Sequence, residues 1–136
     1  MPDHYRKDLR NAAKAALASH ADYSGHTHVS IFEKSLDHKS LPFIAVGTPR
    51  ERRQTTSLSE QDAAIDLVFI LKRKGGDDLE DLLDDESAVI EDLLIEALGG
   101  PGQTQLNETL VAVDGAGESR VGSLTMTFSV SEFLSL

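Results

Sequence analysis

AAIDLVFILKRKGGDDLEDLLDDESAVIEDLLIEALG, residues 63–99, changes its hydrophobic pattern part-way along and thereby sets the fold class. Ala63 to Lys74 has strand composition, with an apolar block at Leu67 to Leu71 that predicts a central strand covered on both faces. Gly75 and Gly76 stop it. Beyond them Leu79, Leu82, Leu83, Ile90, Leu93, Leu94, Ala97 and Leu98 recur at helical spacing, which predicts an amphipathic helix. Asp77 and Asp78 stand in its first turn, where carboxylates meet the positive end of the helix dipole, and Gly99, Gly100 and Pro101 end it. A strand that runs directly into a helix with one apolar stripe calls for a helix lying on a sheet.

The flanking segments supply the rest of that sheet. TPRERRQTTSLSEQ, residues 48–61, is too poor in apolar residues for a core and reads as a protruding polar segment, either a mobile loop or an extended hairpin arm. LPFIAVG, Leu41 to Gly47, predicts a mostly buried strand, with Pro42 at its start where a missing donor costs least. VSIF, Val29 to Phe32, is a short strand candidate, and residues 4–18 carry Tyr5, Leu9, Ala12, Ala13, Ala16 and Leu17 near helical spacing. On the other side, Gln105 to Asp114 predicts a strand, DGAG (Asp114 to Gly117) a turn, and Arg120 to Phe133 a second strand. In that last strand Leu124, Met126, Phe128 and Val130 alternate with Thr125, Thr127, Ser129 and Ser131, so one face is apolar and the other hydroxylic. The expected fold is α+β: an antiparallel or mixed sheet of about five strands packed with two helices, in the order α-β-β-β-α-β-β.

Composition narrows the classes of function. The 136 residues suit a single domain over 1–136, and the lack of Cys excludes disulfides, thiolate metal sites and thiol nucleophiles. No apolar run approaches a membrane span and no cleavable leader is evident, so a soluble, cytoplasmic chain without membrane contact is expected. A net charge of −10 opposes ordinary binding to a phosphate backbone. The charge is also polar along the chain, with Arg50, Arg52, Arg53, Lys72, Arg73 and Lys74 preceding ten carboxylates between Asp77 and Glu96 that are interrupted by no Lys or Arg. Complementary surfaces of this kind suit head-to-tail association.

Catalytic and metal chemistry find little footing. Asp77, Asp78, Asp81, Asp84 and Asp85 share helix faces at spacings of three and four, but they lack the Asp-x-Asp-x-Asp-Gly loop of a calcium site. Their expected role is a solvated or interface surface, with nucleic-acid mimicry as the alternative. His20, His26, His28 and His38 lie close together without an HExxH pattern, and loop histidines are the simpler expectation. No nucleophile elbow, phosphate loop or dinucleotide fingerprint occurs, so no enzyme, cofactor or metal is expected. The candidate assembly surfaces are the arginines Arg50, Arg52 and Arg53, the acidic helix, and the hydroxylic strand positions Thr125, Thr127 and Ser129.

RKDLRNAAKAAL, LPFIAVGTPRE, AAIDLVFILKRKGGDDLEDLLDD and GSLTMTFSVSEF, taken in this order, resemble the tail terminator proteins of long-tailed phages, the minor tail protein U type, and their equivalents in gene transfer agents. The likeness spans nearly the whole chain and rests on element order, not on an invariant motif. It implies a structural virion protein of the tail or neck, assembled in the host cytoplasm, that forms a hexameric ring. Such a ring caps the tail tube, ends its polymerisation and joins it to the head connector. The implied partners are further copies of the chain, the tube protein and the head-tail connector, with DNA passing through unbound. The family has no catalytic residue to carry over. Another ring of the neck or tail, a connector or a tube subunit, shares the same fold class.

Overall fold

The computed structural model describes residues 4–31, 41–115 and 120–135. Two helices and five strands follow one another as α1 (Tyr5–Ser19), β1 (Thr27–Ser30), β2 (Phe43–Ser57), β3 (Glu60–Gly75), α2 (Leu79–Ala97), β4 (Thr104–Asp114) and β5 (Arg120–Ser135). The strands form one sheet in the order β1-β2-β3-β5-β4. β1 runs parallel to β2, and every other neighbouring pair is antiparallel. This is the α+β order expected from the sequence.

Alternation along β3 and β5 builds the core. Ala63, Ile65, Leu67, Phe69 and Leu71 of β3 point to one face, opposite Leu124, Met126, Phe128 and Val130 of β5 in register. Against that face lie Leu9, Ala13 and Leu17 of α1 and Leu79, Leu83, Ile90 and Leu94 of α2, so both helices cover the same side. The other face carries Ala64, Asp66, Val68 and Ile70 beside Ser131, Ser129, Thr127 and Thr125, and no helix lies on it among the described residues. Among the described residues helices cover β3 on one side only; on the other side Val68 and Ile70 are half-buried, and the Ile31 side chain lies against Gly47, the β2 neighbour of Val68. Burial on both sides occurs instead at the start of β2, where Phe43 to Thr48 are all buried.

Residues 48–61 are a hairpin arm and not a loop. β2 and β3 stay paired out to Ser57 and Glu60, leaving only Leu58 and Ser59 in the turn. Polar strands persist there because β5 extends beside β3 as far as Ser135, so the arm is a three-stranded ribbon with its ladder satisfied in the middle. The predicted strand at Val29 to Phe32 starts earlier, at Thr27; Phe32, His38, Ala116 and Gly117 lie outside the described residues.

α2 is seated tightly. At Gly122 of β5 even a Cβ would come within 2.8 Å of Leu83 Cδ1 and 2.9 Å of Leu79 Cδ2, so the glycine lets the helix approach the sheet. Its C-terminus closes through Gly99 and Gly100, both at positive φ, with the Gly100 N–H donating to Ile95 C=O at 2.8 Å. Buried Thr104, the first residue of β4, donates its hydroxyl to Leu98 C=O at 2.6 Å and satisfies another terminal carbonyl. Asp78 occupies the N-cap without a side-chain cap bond, and Glu80 and Asp81 are the acids of the first turn.

Candidate assembly surfaces

Register decides what the arm presents. Between Gly47, opposite Val68, and Arg50, opposite Asp66, β2 gains one residue, and this bulge exchanges the faces of residues 50–55, up to a second shift between Thr55 and Ser57. Arg50 and Arg52 consequently share the uncovered face with Asp66 and Ala64, whereas Glu51 and Arg53 turn to the helix side with Ile65 and Ala63. The three arginines grouped by the sequence therefore separate. All three are exposed, Arg50 and Arg52 on the open face and Arg53 on the helix side, where Glu51 and Tyr5 engage it.

These contacts tie α1 to the arm. Tyr5 Oη donates to Glu51 Oε2 at 2.6 Å, Arg53 Nε donates to the same oxygen at 2.6 Å, and Arg53 Nη2 donates to Tyr5 Oη at 2.7 Å. Arg6 Nε lies 3.3 Å from Glu51 Oε1, an ion pair without hydrogen-bond alignment. Burial pushes the Glu51 carboxyl up, but the hydrogen bonds from Tyr5 and Arg53 and the charges of Arg53 and Arg6 outweigh it and hold it below the ordinary carboxylate range. Tyr5 is raised by burial and by its bond to Glu51. One turn further along, Arg10 Nη1 donates to Thr48 Oγ1 at 2.6 Å.

The acidic helix turns most of its charge outward. Asp81, Asp84 and Asp85 are exposed on the side of α2 away from the sheet, as are Glu80, Asp92 and Glu96. Asp77 lies in the turn before it, 3.5 Å from Arg120 and almost wholly exposed, and Asp78 is exposed beside it. Glu86 is the exception, because it leans inward to accept a hydrogen bond from Arg73 of β3. Burial raises the Glu86 carboxyl, and the nearby Arg73 only partly offsets this. The same neighbourhood holds buried Tyr23, whose hydroxyl is pushed up to about 12 by burial and by the charges of Glu86 and Asp22. His26 is lowered by burial and by Arg73, and His28 Nε2 lies 3.0 Å from Tyr23 C=O. Among the described residues no three His, Asp or Glu side chains converge as a metal set.

The hydroxylic face has an apolar and hydroxylic centre around Val68, Ile70, Thr125 and Thr127, bordered by Lys72, by Arg50 with Asp66, and by Glu108. Rows such as Ala45–Ile70–Thr125–Leu110 and Gly47–Val68–Thr127–Glu108 cross it from β2 to β4, and Ser129 lies beside Gln105. Thr125, Thr127 and Ser129 thus share this face with Arg50 and Arg52, while the carboxylates of α2 stand in the opposite layer. Sequence reasoning also missed the open edge of β4, where Leu110, Val111 and Val113 remain exposed. The sequence predicts a strand there but cannot show that, among the described residues, none pairs with its outer side.

No protein-family model and no curated protein matches the chain.

Proposed function

We propose that this chain is a ring-forming subunit of a phage-type tail or of a gene transfer agent. It caps the tail tube, stops its growth and offers a platform to the head connector. The observation that carries this reading is the one-sided sheet with a long basic arm and, in the other layer, an outward-facing acidic helix. A ring needs two unlike, complementary patches on every copy, and a subunit with its charge so divided carries them. At −10 per copy, the assembled annulus repels a duplex instead of holding it, which suits a conduit through which DNA passes. The partners on this reading are further copies, the tube protein below and the connector above, and the place of action is the neck of the particle.

Tube protein from the same genome, polymerised with and without the purified chain, tests this. A terminator yields tubes of limited length with a ring at one end in electron micrographs, whereas tubes of unrestricted length bearing no ring would exclude the role. A tube subunit is the closest rival, because a sheet of this kind serves both. It would be distributed along the whole tube and not confined to an end.

A further inference from the structure

The helix layer is divided by charge. α1 packs over β2 and β3, and α2 over β5 and β4, so the helices lie above opposite halves of the sheet. α1 carries Arg6, Lys7, Arg10 and Lys14 against Asp8 alone, whereas the acids of α2 are interrupted by no Lys or Arg. Contacts fix which flank of each helix faces away from the other. Arg10 donates to Thr48 of β2, while Ala12 on the opposite flank packs against the core. The flank of Arg10, with Lys7 one turn before it and Lys14 one turn after, therefore lies on the β2 side. Glu86 of α2 leans toward Arg73 of β3, so the opposite flank, with Glu80, Asp84 and Glu91, lies on the β4 side.

Neither outer flank is satisfied within the subunit. Among the described residues Lys7, Arg10, Lys14, Glu80, Asp84 and Glu91 take part in no ion pair. A second observation falls at the same place. Val111 and Val113 of β4 stay exposed on the helix side of the sheet, opposite Leu124 and Gly122, below the acidic flank. Exposed apolar side chains rimmed by charge are the composition of a contact surface.

Spacing and direction agree. Lys7 and Lys14 are seven residues apart, two turns of helix, and so are Asp84 and Glu91. α1 passes Glu51 before Thr48 and so runs against β2; α2 passes Gly122, in the row of Arg73, before Thr104, in the row of Ile65, and so runs against β3. β2 and β3 are antiparallel, hence so are the helices, and copies turned about an axis along the strands set α2 of one antiparallel to α1 of the next. On level copies Lys14, one turn beyond Thr48, meets Glu91, which stands halfway between Gly122 and Thr104. A stagger of two turns, about 10 Å, brings Lys7 to Glu91 and Lys14 to Asp84 together. Five strands span roughly 24 Å, so strands tilted by about 23° to the axis supply that stagger, within the range of closed sheets.

We infer that copies of this chain associate through the helix layer, with the flank of Lys7, Arg10 and Lys14 on α1 of one copy lying against the flank of Glu80, Asp84 and Glu91 on α2 of the next. The occupant is a second copy because one chain carries both halves of the match on opposite sides of one layer. Such a contact is heterologous and closes a ring or propagates. This rests on the ring reading and names the interface within it.

The test exchanges charge between flanks. One variant carries Lys7→Glu with Lys14→Glu, the other Asp84→Lys with Glu91→Lys. A control, Asp81→Lys with Asp92→Lys, makes the same change of net charge on the side of α2 that faces away from the sheet. Circular dichroism and melting establish that each is folded. Each flank variant alone is expected to lose ring formation on the tube, and the control to keep it. An equimolar mixture of the flank variants, one of them isotopically labelled, regains rings that native mass spectrometry shows to hold both in equal number. Rings from either folded flank variant alone, none from the mixture, or equal loss in the control overturn the interface, while the capping role stands if wild type still limits tube length. Should wild type fail to cap, the capping role falls, and sedimentation without tube still decides the interface: larger species in the mixture than in either variant support it, and equal species refute it.

Discussion

Replacing Glu51 tests whether α1 and the arm are one mechanical unit. Its side chain is only 11% exposed, and it collects Tyr5, Arg53 and Arg6 around one carboxylate. Glu51→Ala removes two charge-assisted hydrogen bonds and leaves two guanidinium groups crowded about a tyrosine. Bonds to charged groups contribute about 1.5–3 kcal/mol when sheltered. Arg53 and Arg6 are 48% and 38% exposed, so solvent screening reduces their share. The expected loss is about 2 kcal/mol, a fall in Tm of roughly 5–10 °C for a domain of this size. Glu51→Gln keeps the shape and loses about half as much. The pH dependence gives a sharper check. Because the folded carboxyl titrates below its unfolded value, its stabilisation is complete above the unfolded pKa and is lost as pH falls through the lower, folded one. The gap between wild type and Glu51→Gln in urea unfolding should therefore narrow as pH drops below the ordinary carboxylate range. Tyr5→Phe combined with Glu51→Ala should cost less than the two separately. Equal stability of Glu51→Ala and wild type at pH 7, or a gap unchanged down to pH 3, would show that the cluster does not hold the arm.

Three further outcomes follow from packing and charge. Gly122→Val drives a branched side chain into Leu79 and Leu83 and should cost about 1–3 kcal/mol in urea unfolding, with Gly122→Ala intermediate; no loss would mean that α2 is not seated on β5 as described. Thr104→Val leaves Leu98 C=O without its donor and should cost about 1–2 kcal/mol, whereas Thr104→Ser should be milder; equal losses would assign the cost to shape alone. Arg73→Met strands Glu86, whose folded carboxyl is already raised by burial. A raised folded pKa favours folding below the unfolded value and loses that contribution as pH rises, so the Tm deficit of this variant should be larger at pH 7 than at pH 4. A deficit independent of pH would place the cost in lost packing.

Much of the sheet was legible because a one-sided core writes itself into sequence as period two. β5 is the clearest case, since every apolar residue from Leu124 to Val130 faces the helices and every hydroxyl faces away. The acidic helix was equally plain, because its leucines mark the packed stripe whatever the remaining positions carry. The arm was legible only as one of two alternatives, a mobile loop or an extended hairpin, and the structure shows the hairpin. TPRERRQTTSLSEQ has little to bury on either side, and its strand state derives from the ladder that β5 extends to β3. The faces of its arginines were hidden for a further reason. Without the extra residue between Gly47 and Arg50, Arg50 and Arg52 would point at α1 and Glu51 would point away; Pro49 marks a break in regular pairing there but does not tell how many residues the break adds. β4 has a second one-residue shift between Leu106 and Glu108, which places Glu108 on the same face as Thr127. The faces of Arg50, Arg52 and Glu108 thus depend on two register shifts that composition cannot show.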